Sequence, residues 1–376
     1  HNNWSLSTES GVNLLDPGDN PMDNAQFLLF LSAVIKAVDT HQDLLRIAAS
    51  SAGNDHRLGA NEAPPAIVSM FLGEDLEGVI DALAGERSYE KKARMSMDIG
   101  VDVLPRFRRD STDRNRTSPF AFTGNKFEFR SIGASFSVAD ANTTLNTIVA
   151  GALREFADQL EAADDFNAAL NALVRDTITA HKRIVFNGNN YSRQWADEAA
   201  ARGLLNLRSA AEAIPHLTDP KNIRLFGSLG VFSEAELRSR QEIMLESYCK
   251  VLHIEALTML DMVSQAVLPA VLEYSARLAE GAVTKSKLGV PFDTEEVLAR
   301  RLSGMAASIH ERYEKLSDAV LGADGIRCHK ESAAYYHDTV FSAMQELRAA
   351  VDETELTVAK KYWPYPSYGD ILFGVR

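Results

Sequence analysis

Five arginines, Arg106, Arg108, Arg109, Arg114 and Arg116, fall within eleven consecutive positions of an acidic chain. A guanidinium is a planar fork that binds phosphate or carboxylate in bidentate fashion, so the cluster could stabilise the charge of a polyphosphate substrate. Asp102, Asp110 and Asp113 lie among them, and an internally paired, solvated loop fits the same residues. Upstream, Asp55-His56-Arg57-Leu58-Gly59-Ala60-Asn61-Glu62-Ala63-Pro64-Pro65 sets a base, Glu62, near an anion clamp, Arg57, on a Gly-containing loop pinned by prolines. The commoner outcome for such a loop is a plain connection into the apolar run Ala66–Phe71. Lys126-Phe127-Glu128-Phe129-Arg130 alternates polar and apolar, and an extended strand would put Glu128 and Arg130 on one face. There Glu128 could ligate a hard divalent cation while Arg130 holds an anion, although a solvent-facing ion pair of small value is the usual fate of such residues. His1, at the start of the chain, reads on its own as an ordinary polar residue.

The elements that must position these residues fall into two parts. Residues 1 to about 180 alternate short apolar runs with Gly-, Asn- and Pro-rich connections, an α/β or α+β pattern. Helical spacing runs from Asn24 to about Ala49, with Asp23 or Asn24 available as N-cap, and again from Asp140 to Glu161. From Ser233 onward the period is helical. Ser233-Glu234-Ala235-Glu236 is a capping box opening a helix to about Ala279, with Pro269 as a kink and Gly281 as a breaker. Asp293-Thr294-Glu295-Glu296 caps a second helix reaching Leu321, and a third spans about Arg327 to Lys361. Short loops between long helices predict an antiparallel bundle. The turn Phe186-Asn187-Gly188-Asn189-Asn190-Tyr191 sets a boundary, giving domains of 1–185 and 186–376. The closing Tyr362-Trp363-Pro364-Tyr365-Pro366-Ser367-Tyr368 reads as a tail docked on a groove or a neighbouring subunit.

Composition narrows the function. In 376 residues, 39 Lys and Arg against 52 Asp and Glu leave a formal charge of −13, which argues against a general nucleic-acid binder. No stretch approaches the roughly 20 uncharged apolar residues that cross a bilayer, so no membrane partner is expected. Two cysteines, Cys249 and Cys328, make no disulfide framework, and a cytoplasmic setting fits.

Taken in order, His1-Asn2-Asn3-Trp4-Ser5-Leu6, Asn54-Asp55-His56-Arg57-Leu58-Gly59-Ala60-Asn61-Glu62-Ala63-Pro64, Arg114-Asn115-Arg116-Thr117-Ser118-Pro119-Phe120 and Lys126-Phe127-Glu128-Phe129-Arg130 resemble the later half of a glutamine synthetase. Phe186-Asn187-Gly188-Asn189, the helical region and the Tyr362-Trp363-Pro364-Tyr365-Pro366 tail resemble the long type III branch. The resemblance covers essentially the whole chain. It implies an α+β fold: the later part of a catalytic domain, an antiparallel sheet with flanking helices, followed by a long-helix bundle.

The resemblance also implies an ATP-dependent ligase that makes glutamine from glutamate and ammonia through a γ-glutamyl phosphate, with two Mg²⁺ or Mn²⁺ ions. By that correspondence His1 and Glu128 are metal ligands, and Arg57 contacts the glutamate side. Glu62 shields the intermediate and takes a proton from ammonium. Arg116 meets the ATP phosphates, Arg130 clamps substrate carboxylate or the transferring phosphoryl group, and Asn3 and Ser5 fall near nucleotide. Other branches carry a further arginine after the Arg-Asn-Arg motif, where this chain has Phe120-Ala121-Phe122, so one phosphate contact is absent or is supplied by another residue such as Lys126. The resemblance further implies a homo-oligomer of two hexameric rings. His1 would lie inside the catalytic domain of a protein about twice this long, with a β-domain and further metal ligands upstream, and the chain alone would be inactive. A γ-glutamyl-amine ligase of the same fold and a non-catalytic helical assembly module are the other two readings of these residues.

Overall fold

A computed structural model describes residues 1–59, 63–86 and 115–374, together with the backbone of 96–97 and 107–108. The chain is α+β, with a small mixed sheet and many helices, and it divides into two compact units, His1–Gln241 and Glu242–Arg376. That division falls later than the turn at 186–191, and the hydrogen bonds show why. Phe186 N donates to Met70 O (2.8 Å) and Arg46 Nε to Leu207 O (2.8 Å). Asn222 Nδ2 donates to Asp43 (2.7 Å). The segment after the turn therefore folds back onto the first unit.

In the first unit the strands are β1 (Asn2–Trp4), β2 (Met70–Phe71), β3 (Ser96–Met97), β4 (Phe107–Arg108), β5 (Phe120–Phe122) and β6 (Phe127–Phe129). The main sheet has the order β1-β6-β5-β2, and β3-β4 is a separate antiparallel pair. β1 and β5 both flank β6 antiparallel, with Asn3 opposite Glu128 and Ala121 opposite Glu128. β2 joins β5 in parallel, so the sheet is mixed rather than wholly antiparallel. A parallel neighbour needs a connection of a dozen or more residues, and the chain between Phe71 and Phe120 is long enough to supply one. β5 and β6 form a hairpin closed by Thr123 N to Lys126 O (2.8 Å), with Gly124 at φ +98°, where a side chain would be strained.

The alternation of β6 buries Phe127 and Phe129, both 0% exposed. They pack with Phe120 and Phe122 through a stacked pair (Phe120–Phe127 centroids 4.6 Å) and an edge contact (Phe122–Phe127, 5.2 Å). Each such side chain fully withdrawn from water contributes about 1.5–3 kcal/mol.

Around this sheet lie α1 (Ala25–Thr40), α2 (Gln42–Ala48), α3 (Ala52–Asp55), α4 (Glu74–Leu83), α5 (Ala139–Glu161), α6 (Phe166–His181), α7 (Arg193–Ala201), α8 (Ala210–Ala213) and α9 (Pro220–Ser228). Asn24 caps α1 through Phe27 N (3.0 Å). The single helix expected from Asn24 to Ala49 is two, because His41 leaves the helical basin (φ −122°, ψ 41°) and sets its imidazole against Asn222 (3.0 Å). α1 packs against α5 and α6 through Leu31, Val34, Ile35 and Val38 among the buried residues. Asn142 and Asn146, one turn apart on α5, accept from Asn2 Nδ2 and Trp4 Nε1 (2.9 Å each), which fixes β1.

α10 (Glu234–Met262) opens on the expected box: Ser233 Oγ accepts from Glu236 N (3.3 Å), and Glu236 accepts from Ser233 N (2.8 Å). The second unit holds the rest of α10, then α11 (Leu268–Lys287), α12 (Asp293–Gly322), α13 (His329–Tyr335), α14 (Ser342–Glu355) and α15 (Tyr368–Phe373). A π turn, Val263–Val267, precedes Pro269 and leaves it in the first turn of α11. A wide turn absorbs the donor that proline lacks, so the kink expected at Pro269 is a π bulge just ahead of it. Gly281 lies inside α11 rather than ending it, and Gly289 (φ +67°) marks the stop. α11 and α12 run antiparallel, tied by Ser275 Oγ to Ala299 O (3.1 Å) and by the Lys285–Glu295 pair. Lys315–Glu346 and Tyr335 Oη to Ala319 O (3.1 Å) tie the last long segment antiparallel to α12.

The continuous helical run Glu234–Lys287 is long and apolar enough, by those measures alone, to cross a membrane, which qualifies the expectation from the sequence. Its Leu252, Ala256, Leu260, Val263, Val267 and Val271 form the stripe a bundle core helix buries. In the closing segment Tyr362 packs on Tyr274 (4.9 Å) of its own unit, while Ile371, Leu372 and Phe373 of α15 are exposed.

Candidate functional site

The polar face of the β1–β6 pair carries most of the residues singled out by sequence. Along β1, Asn2 and Trp4 point into the core, and the alternate positions His1, Asn3 and Ser5 are exposed. Along β6, Glu128 lies between the buried Phe127 and Phe129, opposite Asn3. His1 Nδ1 is 3.7 Å from Glu128 Oε2. On its other side Glu128 Oε2 accepts from Arg130 Nη2 (3.0 Å) and Nε (3.2 Å). Ser5 Oγ lies 2.9 Å from both Asn13 Oδ1 and the Asn125 carbonyl, and Lys126 follows in the hairpin turn. One extended segment on each side thus aligns an imidazole, a carboxylate and a guanidinium, a sequence consequence of the period of two.

Arg130 is 3% exposed, and its remaining donor Nη1 bonds the Asn115 carbonyl. A buried guanidinium needs every fork occupied, and here the second acceptor belongs to the residue before Arg116. Arg57 reaches the same strand end: Nη2 donates to Arg130 O and Nη1 to Ser131 O (3.3 Å each). Arg57 is therefore tied to the end of β6 at Arg130, and Arg130 to the backbone beside Arg116. Arg116 itself is exposed. Phe120, Ala121 and Phe122 are buried on both faces of β5, so no cation comes from that strand. Glu62, Arg106, Arg109 and Arg114 lie outside the described residues, as does the side chain of Arg108.

Several residues without an assigned role in the sequence reading hold these segments. Asn54, 2% exposed, accepts from Arg57 Nη1 through Oδ1 (2.8 Å) and donates from Nδ2 to Ala49 O (2.5 Å) and Ser131 O (2.9 Å). Asp55 caps α8 through Ala210 N (3.0 Å to both oxygens) and faces Arg46 at 3.4 Å, which anchors the short helix preceding Arg57. The asparagine turn at 187–190 bonds Asn115 and Thr117 on either side of Arg116. The only signal for these in the sequence is their place within the motifs.

Among the described residues no group of three or more His, Cys, Asp and Glu converges. His1 and Glu128 offer two donors, one nitrogen and one oxygen, a fit for part of a divalent-cation shell that Mg²⁺ would complete with further oxygens.

The fold agrees with what the chain is similar to. A family model of the glutamine synthetase C-terminal domain matches residues 169–287. Over 99% of its length the chain is 42% identical to the type-3 glutamine synthetase of Dictyostelium discoideum, covering 52% of that protein. It is 40% identical to a glutamine synthetase of Butyrivibrio fibrisolvens over 100% of the chain and 54% of the relative. For a glutamine synthetase of Bacteroides fragilis the identity is 37%, over 99% of the chain and 53% of the relative. The chain spans about half the length of these curated relatives and is similar to them, one of them a type-3 glutamine synthetase, along essentially its whole extent.

Proposed function

We propose that the chain is part of an ATP-dependent ligase that joins ammonia to glutamate through a γ-glutamyl phosphate. The observation that carries the reading is the continuous contact from His1 through Glu128 and Arg130 to Arg57 and to the backbone beside Arg116. Phosphoryl transfer asks for positioned cations around the equatorial oxygens and little covalent chemistry from the protein. In this proposal Arg116 binds the ATP phosphates with Lys126 as a further cation, and Asn3 and Ser5 face nucleotide. Arg57 orients the glutamate side, and Arg130 clamps the carboxylate or the phosphoryl group. Glu62 takes the proton from ammonium and keeps water from the acyl phosphate. His1 and Glu128 would hold one of two divalent cations, Mg²⁺ or Mn²⁺, and a bound cation supplies charge neutralisation at the phosphoryl oxygens.

We further propose that this chain alone does not turn over, a reading supported by its covering about half of its relatives' length and by the absence of three converging His, Cys, Asp or Glu among the described residues. The whole protein is proposed to act as a ringed homo-oligomer, a reading supported by the exposed Ile254, Leu257, Leu272, Val283 and Val297 of the helical unit.

The test is glutamine formation by the complete protein with ATP and ammonium, run beside polyamines as acceptors. Ammonium should be used, and Glu62→Ala and Arg116→Ala should each lower the rate strongly. Turnover with amines and none with ammonium would replace the reading by a γ-glutamyl-amine ligase, and unchanged rates in both variants would remove these residues from catalysis.

A further inference from the structure

Arg116 is the exposed residue between two fastened neighbours. Asn115 and Ser118 close a turn through Ser118 N to Asn115 O (3.2 Å), with Arg116 and Thr117 at its centre. Thr117 Oγ1 donates to Asn115 Oδ1 (2.6 Å) and accepts from Asn190 N (3.0 Å) and Asn190 Nδ2 (3.2 Å). One donor and two lone pairs are the whole capacity of a hydroxyl, and all three are in use. Asn115 Nδ2 in turn donates to Gly188 O (2.6 Å) and Asn187 O (3.3 Å).

The far side of this turn is anchored in the core. Asn190 is 3% exposed and accepts from Ser69 Oγ (2.7 Å), and Ser69 is 0% exposed beside β2. Asn187 Oδ1 accepts from Leu72 N and Gly73 N (3.0 Å each), just past the same strand. The Asn187–Asn190 turn is thus a rigid bracket between the sheet and the loop that carries Arg116.

We propose that Thr117 and Asn190 are positioning residues that hold Arg116 in place for nucleotide phosphate. The inference rests on the reading of Arg116 as the phosphate contact. A loop fixed beforehand loses less freedom on binding than a loose one, so the bracket acts on the nucleotide step, while Arg57, proposed for the glutamate side, is held by Asn54 and the Arg130 and Ser131 carbonyls outside this loop.

The experiment compares Thr117→Val, which keeps the shape and removes the hydroxyl, with Thr117→Ser, which keeps the hydroxyl, in the complete enzyme. Thr117→Val should raise the KM for ATP about tenfold and lower kcat, with the KM for glutamate within about twofold of wild type. Thr117→Ser should restore near-wild-type values. Thr117→Ala removes the same hydroxyl from a half-buried position without adding a methyl, and it should reproduce the selective loss if the valine variant folds poorly. Calorimetric ADP binding reads the same loop without any acceptor, and Thr117→Val or Thr117→Ala should weaken it about tenfold. Wild-type ADP affinity and ATP KM in both variants would overturn the proposal, as would equal losses for ATP and glutamate or a serine variant as impaired as valine. A wild-type protein that binds ADP but forms no glutamine would overturn the ligase reading and leave this one to the ADP measurement.

Discussion

The Arg130 guanidinium sits 3.0 Å from a Glu128 oxygen that also lies 3.7 Å from His1 Nδ1. The carboxylate therefore has two roles: it compensates a guanidinium that is 3% exposed, and it presents the same oxygen to the imidazole side. The two roles separate on substitution. Glu128→Ala strands a buried charge and should cost on the order of 3 kcal/mol in urea unfolding. Glu128→Gln keeps an acceptor for Arg130 and should cost less, yet in the complete enzyme it should lower glutamine formation about a hundredfold with a weakened response to Mg²⁺. Equal stability losses in the two variants would show that charge compensation is not what Glu128 provides.

The opposite face of the strand tests its register. Phe129 is 0% exposed and meets Phe120 edge-on at 6.3 Å. Phe129→Ala should lower unfolding free energy by about 3–5 kcal/mol, the range for emptying a packed aromatic site. A loss under ~1 kcal/mol would mean that the site collapses around the deletion.

These contrasts show what could be read from residues in order. Local signals are plain: a cap at Asp23 or Asn24, the Ser233–Glu236 box and the alternation that buries Phe127 and Phe129 are all set by neighbours within a few positions. Partners far along the chain are not. The break at His41 depends on Asn222, 181 positions away, and the parallel pairing of β2 with β5 depends on a long crossover. In the candidate site the charged residues announced themselves by type, but Asn54, Thr117 and Asn190 did not. A neutral polar side chain takes its meaning from partners such as Ser131, 77 positions from Asn54, or Ser69, 121 positions from Asn190.

His41 gives the chain a pH dependence with a definite sign. Burial pushes its imidazole below the ordinary value of 6.5, and Lys221 adds to the lowering, while the Asn222 bond and the Asp43 and Glu155 carboxylates act the other way. The folded state then binds fewer protons than the unfolded state between the two pKa values, so stability rises with pH across that window. It is fully present above about pH 6.5 and declines as pH falls toward the folded value. The urea midpoint should drop below pH 6.5, and His41→Gln, which cannot titrate, should flatten that part of the profile. A variant with the same slope as wild type would assign the acid sensitivity to other groups.

Asn54 holds the Arg57 guanidinium directly, whereas Thr117 holds the loop that carries Arg116, and the two brackets should fail differently. Its Oδ1 accepts from Arg57 at 2.8 Å, while Nδ2 binds carbonyls of Ala49 and Ser131, so one buried amide joins α3 to the end of β6. Asn54→Ala leaves the Ala49 carbonyl without this donor and removes the side-chain acceptor of Arg57, which keeps only its longer bonds to the Arg130 and Ser131 carbonyls, at a stability cost of about 1–3 kcal/mol. In the complete enzyme the loss should fall on glutamate, with its KM raised about tenfold and the KM for ATP nearly unchanged. Restoring only the acceptor, with Asn54→Asp, should recover part of the glutamate affinity because the carboxylate still holds Arg57. If Asn54→Ala instead raises the KM for ATP as much as that for glutamate, the two arginine loops move as one body and the separate brackets have no kinetic meaning.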